Sequence, residues 1–166
     1  MARLLQEVPD AWVSVSATTR KPREGEIDGV SYFFKTREEF MAMVAEDGLL
    51  EWAEFAGNCY GTPRQSVEEH MRAGHQVILE IEVQGAFQVR EKLPEAHLVF
   101  IEPPSMEVLE ERLRGRGTED EDAIMRRLAT AKLELARKME YDVRLVNDDL
   151  ERAVEELVAY VNGKAE

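Results

Sequence analysis

The second half of the chain alternates short apolar runs with longer segments of helical periodicity. Residues 77–79 and 98–101 are continuous apolar runs of the kind that is buried on both faces of a parallel sheet. Val143–Val146 predicts a last strand. Helices are predicted at about 83–93, 105–114, 121–139 and 148–162. This strand, helix, strand order predicts an α/β fold with a parallel sheet and right-handed crossovers.

The first half has a different pattern, with short elements and many turn residues. Residues 2–8 have the pattern of the end of a helix, and residues 12–15 that of a short strand. The stretch 18–31 contains three glycine or proline residues among many charges, so it favours a loop. Thr36 with Glu39 three residues later is a capping-box signature, and it predicts a helix that ends near residue 48.

Further along, Leu49–Phe55 predicts a strand and residues 57–61 predict a tight connection. Thr62 followed by Pro63 resembles a helix cap with a first-turn proline, so a helix is predicted from there to Gly74. Residues 18–75 therefore form an excursion from the sheet, with small strands and a helix of their own.

Length and composition favour one globular unit. The 166 residues can bury one good core, and 44% apolar with 33% charged residues is typical of a folded protein in water. The chain contains no apolar run of the roughly 18 residues that a membrane span needs. Its single cysteine, Cys59, allows no internal disulfide, which is compatible with a reducing compartment. We therefore expect a cytoplasmic protein.

The charge distribution points to a small anionic ligand. A net charge of −13 would repel nucleic acid and anionic lipid, so neither is an expected partner. Against this background the chain holds two basic clusters. The first contains Arg20, Lys21 and Arg23, and the second contains Arg112, Arg114, Arg116, Arg126 and Arg127. The overall negative charge does not explain such clusters, which suit local phosphate sites. For any single arginine among them, a surface side chain in contact with water is the alternative.

The segment 14–23 carries the clearest chemistry. It contains several hydroxyl side chains, followed in the predicted loop by Arg20 and Arg23 with a proline between them. Two guanidinium groups can bind one phosphate through paired hydrogen bonds. Glu51 lies in the same excursion, and a carboxylate matches the adjacent N1–H and amine donors of guanine. Two phenols and a hydroxyl accompany it: Tyr32, Tyr60 and Thr62. Individually, each would be explained as well by packing or by a solvent-facing strand edge.

Taken together, these segments resemble the guanylate kinase family. The resemblance spans residues 8 to 155 in the family's order. Its motifs are Ser-Val-Ser-Ala-Thr-Thr-Arg at 14–20, Pro-Arg at 22–23, Tyr-Phe-Phe at 32–34, Leu-Glu-Trp-Ala-Glu at 50–54, Tyr-Gly-Thr at 60–62, Glu-Ile-Glu-Val-Gln-Gly-Ala at 80–86, Arg-Leu-Arg-Gly-Arg-Gly-Thr at 112–118 and Val-Asn-Asp-Asp-Leu at 146–150.

The resemblance implies a fold and an activity. The expected fold is a parallel-sheet P-loop kinase core, with a GMP-binding lobe inserted at 18–75 and a helical lid at 105–128, in one domain over residues 1–166. The expected activity is transfer of the terminal phosphate of ATP to GMP, and to dGMP, giving ADP and GDP in purine nucleotide metabolism. Mg²⁺ would accompany ATP, held mainly by the nucleotide phosphates rather than by protein ligands.

The resemblance also implies roles for individual residues. The GMP phosphate would be held by Arg20, Arg23, Tyr32 and Tyr60. The guanine would be read by Ser16, Glu51, Thr62 and Glu82, the last standing where the family often has aspartate. Glu80 would lie near the magnesium and the transferring phosphoryl group. The ATP side would be supplied by Arg112, Arg116 and Arg127, with Asn147 bordering the adenine.

One family motif is missing from the sequence. Nowhere does it contain Gly-x-x-x-x-Gly-Lys-Ser/Thr, the loop whose backbone amides cradle ATP phosphates, so the family's first strand and P-loop are absent from this chain. Two explanations stand. We expect a start site placed too far downstream, since the other site motifs are present. The alternative is a catalytically inactive, guanylate kinase-like module that binds GMP or a phosphopeptide.

Overall fold

The computed structural model describes residues 1–55, 57–115, 117 and 120–164, which form two units, Met1–Ala96 and His97–Glu166. Within its described residues the first unit contains four helices and six strands. Its helices are α1 Ala2–Glu7, α2 Arg37–Ala45, α3 Arg64–Arg72 and α4 Val83–Lys92. Its strands are β1 Ala11–Val13, β2 Ala17–Thr18, β3 Phe33–Phe34, β4 Leu49–Phe55, β5 Asn58–Pro63 and β6 Gln76–Ile78.

A four-stranded sheet forms the centre of the predicted excursion. Its order is β3-β2-β5-β4, with β2 parallel to β3 and antiparallel to β5, so that β4 is an edge strand. Helix α2 packs on it, since Phe40 and Leu49 are both almost fully buried in one cluster, and the Phe40 ring meets that of Trp52 edge to face at 6.2 Å. Burial of these large side chains stabilises the lobe.

The capping box predicted at the start of α2 is confirmed, whereas the cap predicted at Thr62 for the start of α3 is wrong. Thr36 caps α2, because its hydroxyl accepts from the Glu39 amide while the Glu39 carboxylate accepts from the Thr36 amide. Residues 57–61 do not form a tight connection, since β5 begins at Asn58. Thr62 lies inside β5 and caps nothing: α3 begins at Arg64 with Pro63 at its N-cap and no side-chain cap. The Thr62 hydroxyl is instead engaged across the sheet.

The parallel strands of the predicted α/β core fall into two pairs. In the first unit β1 pairs with β6, matching Trp12 with Val77. In the second unit β7 Val99–Glu102 pairs with β8 Val143–Val146. Among the described residues no further strand joins these two pairs into one sheet.

Helices connect β7 to β8 in the second unit, as the βαβ pattern predicts. The connecting elements are α5 Met106–Gly115, α6 Glu121–Ala136 and a 3₁₀ turn at Lys138–Glu140, and α7 Leu150–Lys164 follows β8. Asp120 caps α6 by accepting from the amide of Ala123 at 2.8 Å. The predicted helix over 121–139 is therefore two elements, because the α-helix ends at Ala136 and the 3₁₀ turn follows.

Candidate functional site

A cleft of about 280 Å³ lies in the first unit, beside the four-stranded sheet and the start of α4. Six of the predicted site residues line it: Ser16, Tyr32, Glu51, Tyr60, Glu80 and Glu82. Its remaining lining comes from Ala53, Phe55, Gly61, Ile81 and Gly85. The structure thus brings together residues that lie up to 66 positions apart in the sequence, from Ser16 to Glu82.

Glu51 is a buried carboxylate, only 6% exposed, in the wall of this cleft. A bulge explains how a strand residue that follows two buried leucines is itself buried. Leu49 pairs with Pro63 and Glu51 with Thr62, so β4 has one extra residue between them. Since side chains normally alternate between the two faces of a strand, the bulge shifts that alternation and lets Leu49, Leu50 and Glu51 all face the interior.

One side-chain hydrogen bond supports the Glu51 carboxylate. The Thr62 hydroxyl, itself fully buried, donates to Glu51 Oε1 at 2.6 Å. Burial raises the pKa of Glu51 above its ordinary value; the Thr62 hydrogen bond opposes this, and the negative charge of Glu82 adds to it. A desolvated carboxylate with further acceptor capacity binds most strongly to paired N–H donors, which guanine presents at N1 and its exocyclic amine.

Arg20 is held in a fixed orientation in the loop that follows β2. Its Nη1 and Nη2 donate to the two carboxylate oxygens of Glu26 at 3.0 and 2.7 Å. The guanidinium lies 5.3 Å from the centre of the Tyr32 ring, within cation–π distance. Hydrogen bonds from the Arg20 side chain, the larger effect, and from the Arg23 backbone amide lower the pKa of Glu26 to about 2. The hydrogen bond to Glu26 in turn raises the pKa of Arg20.

Arg23 belongs to the same loop, which closes around Glu26. The Arg23 amide donates to Glu26 Oε2 at 2.7 Å, while the Arg23 side chain is exposed. Tyr32 and Tyr60 meet edge to face, with their ring centres 6.3 Å apart. The Arg20 guanidinium and two phenols therefore lie in one region, a combination that suits a phosphate monoester, and the Arg23 backbone belongs to the same loop.

The other predicted site residues lie in the second unit. The Arg112 Nη1 donates to the backbone oxygen of Asn147 at 2.8 Å, so these two predicted ATP-side residues are in contact. Arg127 lies in α6. Arg116 lies outside the described residues.

Sequence reasoning missed two classes of site residue. Ala53 and Phe55 line the cleft because they follow Glu51 at intervals of two along β4, and strand periodicity from Glu51 would have found them. Glu26 was named in no role, although it is the carboxylate that orients Arg20. Its separation of six residues within an irregular loop gives no periodic signal.

No helix among residues 1–55, 57–115, 117 and 120–164 combines the length and apolarity that a membrane span requires.

Comparison with known proteins gives a consistent result. The sequence model of the family described as "Guanylate kinase" matches residues 1–164. "Guanylate kinase" of Synechococcus sp. (strain CC9902) is 58% identical over 163 residues, covering 98% of this chain and 87% of that protein. "Guanylate kinase" of Streptomyces coelicolor (strain ATCC BAA-471 / A3(2) / M145) is 56% identical over 162 residues, covering 98% of this chain and 82% of that protein.

A solved structure agrees with the sequence matches. The crystal structure of guanylate kinase from Anaplasma phagocytophilum superimposes with a TM-score of 0.78 at 34% identity, covering 99% of this chain and 79% of that one.

Proposed function

We propose a specific activity for this chain, which belongs to the guanylate kinase family: it transfers the terminal phosphate of ATP to GMP, and to dGMP, giving ADP and GDP or dGDP. The observation that carries the proposal is the buried Glu51 carboxylate in the wall of a cleft that is also lined by Tyr32, whose ring centre lies 5.3 Å from the Arg20 guanidinium. Glu51 suits a purine with paired donors, and Arg20 beside Tyr32 suits a phosphate.

The base is read by Glu51 together with neighbouring hydroxyl and carboxyl groups. Glu51 accepts from N1–H and from the exocyclic amine of guanine, whereas adenine presents an acceptor at N1 and is rejected. Thr62 supports this carboxylate through its hydroxyl, and Ser16 and Glu82 complete the set. Because Glu51 is desolvated, leaving it unpaired against the wrong base costs more than it would in water.

The phosphate of GMP is held by Arg20, Arg23, Tyr32 and Tyr60. Glu26 already occupies part of the Arg20 fork, so Arg20 is oriented before the nucleotide arrives. Such pre-organisation lowers the entropy cost of binding.

The chemical step moves a phosphoryl group between two bound nucleotides. A phosphate oxygen of GMP attacks the γ-phosphorus of ATP, and the bond from that phosphorus to the bridging oxygen of ADP breaks. The chain's contribution is to align the reactants and neutralise charge. We assign the ATP side to Arg112, Arg116 and Arg127, and the adenine border to Asn147. Residues 18–75 then serve as the GMP-binding lobe and 105–128 as the lid of a single domain.

The carboxylates present fit a magnesium ion that is held mainly by nucleotide phosphates. Among the described residues no group of three or more His, Cys, Asp and Glu side chains is arranged to bind a metal, yet Glu80 and Glu82 place two exposed carboxylates at the cleft. Mg²⁺ commonly uses one or two carboxylates and completes its shell with phosphates and water. Glu80 would hold the ion, which would neutralise charge on the transferring group.

The substrates place the protein in purine nucleotide metabolism, and we propose a cytoplasmic location, where ATP and GMP are supplied together.

A coupled assay of ADP formation tests the activity. With ATP and Mg²⁺ present, we expect ADP to form with GMP or dGMP as acceptor, and only at background level with AMP, CMP or no acceptor. The identity of the product is checked by chromatography of GDP. Equal rates with GMP and AMP would contradict the assignment of the cleft, whatever the absolute rate.

A further inference from the structure

One face of helix α4 contacts strand β4 on both sides of the bulge that buries Glu51. The three residues of this face, Gly85, Gln88 and Lys92, are spaced three and four apart and so lie along one side of the helix. We call it the α4 face.

Gly85 lies directly against the Glu51 carboxylate. A Cβ atom at position 85 would be 2.6 Å from Glu51 Oε2, 3.1 Å from Cδ and 3.3 Å from Cγ. Favourable contacts between such atoms begin near 3.5 Å, so any side chain here would push the carboxylate away. The space in which Glu51 lies is therefore the space left by the missing side chain.

Gln88 binds the backbone of the residue that follows Glu51. Its Oε1 accepts from the Trp52 amide at 3.1 Å, and its Nε2 donates to the Trp52 carbonyl at 3.0 Å. Since β4 is the edge strand of its sheet, no other strand in the described part of the chain pairs with these backbone groups on that side. The side-chain amide pairs with them instead and fixes the chain just after Glu51.

Lys92 fixes the chain just before the bulge. Its Nζ donates to the Leu49 carbonyl at 2.7 Å and to Asp47 Oδ1 at 2.8 Å. The two anchored residues, Leu49 and Trp52, bracket the bulged position. A bulge interrupts the regular ladder, so the direction of the Glu51 side chain depends on contacts of this kind more than it would in a regular strand.

We propose that the α4 face is a positioning device for Glu51, and that it determines how sharply the cleft selects guanine. Gly85 sets the position of the carboxylate, and Gln88 sets the path of the strand that carries it. This inference rests on the proposed function, because it assumes that Glu51 reads the base.

The ratio of two dissociation constants separates positioning from general stability. IMP is GMP without the exocyclic amine, so comparing the two nucleotides measures the contact that a displaced Glu51 would lose. A variant that is only less stable has a smaller competent fraction, which weakens both ligands by the same factor and leaves the ratio unchanged. A displaced carboxylate lowers the ratio itself.

The experiment measures GMP and IMP binding by calorimetry for the wild type, Gly85→Ala and Gln88→Met. Methionine keeps the length of Gln88 but removes both hydrogen bonds. We expect the preference for GMP over IMP to fall by about threefold or more in Gln88→Met, and further in Gly85→Ala. Circular dichroism verifies that each variant is folded.

Two variants serve as matched controls. Gln65→Met removes a side-chain amide that donates to Glu69 Oε1 at 2.8 Å on the exposed side of α3. Gly163→Ala adds a methyl group to another helical glycine that has open space around it. Both should keep the wild-type ratio within about twofold, the scatter expected of surface substitutions.

The possible results distinguish this inference from the function on which it rests. If the wild type fails to prefer GMP over IMP, the proposed reading of guanine by Glu51 is wrong, and the inference is overturned with it. If the wild type prefers GMP and folded Gln88→Met keeps the full preference, the positioning role is overturned while the proposed function stands. If Gly85→Ala folds, its GMP to IMP preference is a second, independent test of the positioning role. If it does not fold, the preference of Gln88→Met alone decides whether the positioning role stands.

Discussion

Replacing Glu51 with glutamine should make the fold more stable at neutral pH while it damages binding. Glutamine has nearly the same shape and keeps an oxygen that can accept from the Thr62 hydroxyl, but it carries no charge. The ionised carboxylate is 6% exposed, and its desolvation outweighs the favourable Thr62 hydrogen bond, which is why its pKa is raised. The substitution removes that cost.

The effect on stability should depend on pH in one direction. A raised pKa in the folded state means that the folded protein holds this proton more tightly than the unfolded chain. The stability that the group contributes is complete below the unfolded value of about 4.5 and is lost as the pH rises through the raised value. Glu51→Gln should therefore gain most over the wild type at pH 7 and lose that advantage towards pH 4.

The effect on binding follows from the contacts that guanine loses. Glutamine offers one acceptor instead of two and turns an amine towards a guanine donor, so one charge-assisted hydrogen bond is lost. Such a bond contributes about 1.5–3 kcal/mol, or a roughly 10- to 150-fold weaker affinity for GMP.

Urea unfolding at pH 7 and pH 4, with calorimetric titration of GMP, measures both effects on the same samples. Gln65→Met is a suitable control because it changes neither a buried charge nor the cleft. A Glu51→Gln protein that is less stable at pH 7, or that binds GMP as tightly as the wild type, would refute the reasoning.

Three further predictions concern the phosphate end of the site and the core. Arg20→Ala and Arg23→Ala should each weaken GMP binding by about 1.5–3 kcal/mol in calorimetric titrations, and unchanged affinity would reject the role of that arginine. Glu26→Gln should lower the melting temperature at pH 7. The depressed pKa of Glu26 means that its charge contributes stability above about pH 4.5, and that this stability is lost as the pH falls towards about 2. A difference in melting temperature between variant and wild type that is as large at pH 2 as at pH 7 would contradict this. Phe40→Ala should cost about 3–5 kcal/mol in urea unfolding, because the ring is fully buried; the neighbouring Met41→Ala, at a site 40% exposed, should cost far less, and similar losses would argue against the described core.

Local signals were sufficient for the elements that local contacts stabilise. The capping box at Thr36 and the strand Leu49–Phe55 were both predicted correctly, because a hydrogen bond over three residues and a short segment with leucine, tryptophan and phenylalanine leave a direct trace in the sequence. Thr62 was misread because the same residue type suits a cap and a strand. What decides its role is the carboxylate of Glu51, 11 residues earlier, and that contact exists only once β4 and β5 have paired.

The candidate site shows the same division. Family resemblance gave six residues that line the cleft, whereas the contacts that orient them were not predicted. Gln88 bonds to Trp52 across 36 residues, and the steric role of Gly85 appears only when Glu51 lies beside it. No periodicity in the chain marks such pairs, because they depend on where α4 packs against β4.

The selection of the purine by an acidic cleft is tested most directly by titrating the purified chain with GMP and with AMP under identical conditions. The account predicts that GMP binds at least about tenfold more tightly, since one well-placed hydrogen bond contributes roughly 1.4 kcal/mol. Equal dissociation constants for the two nucleotides would contradict it.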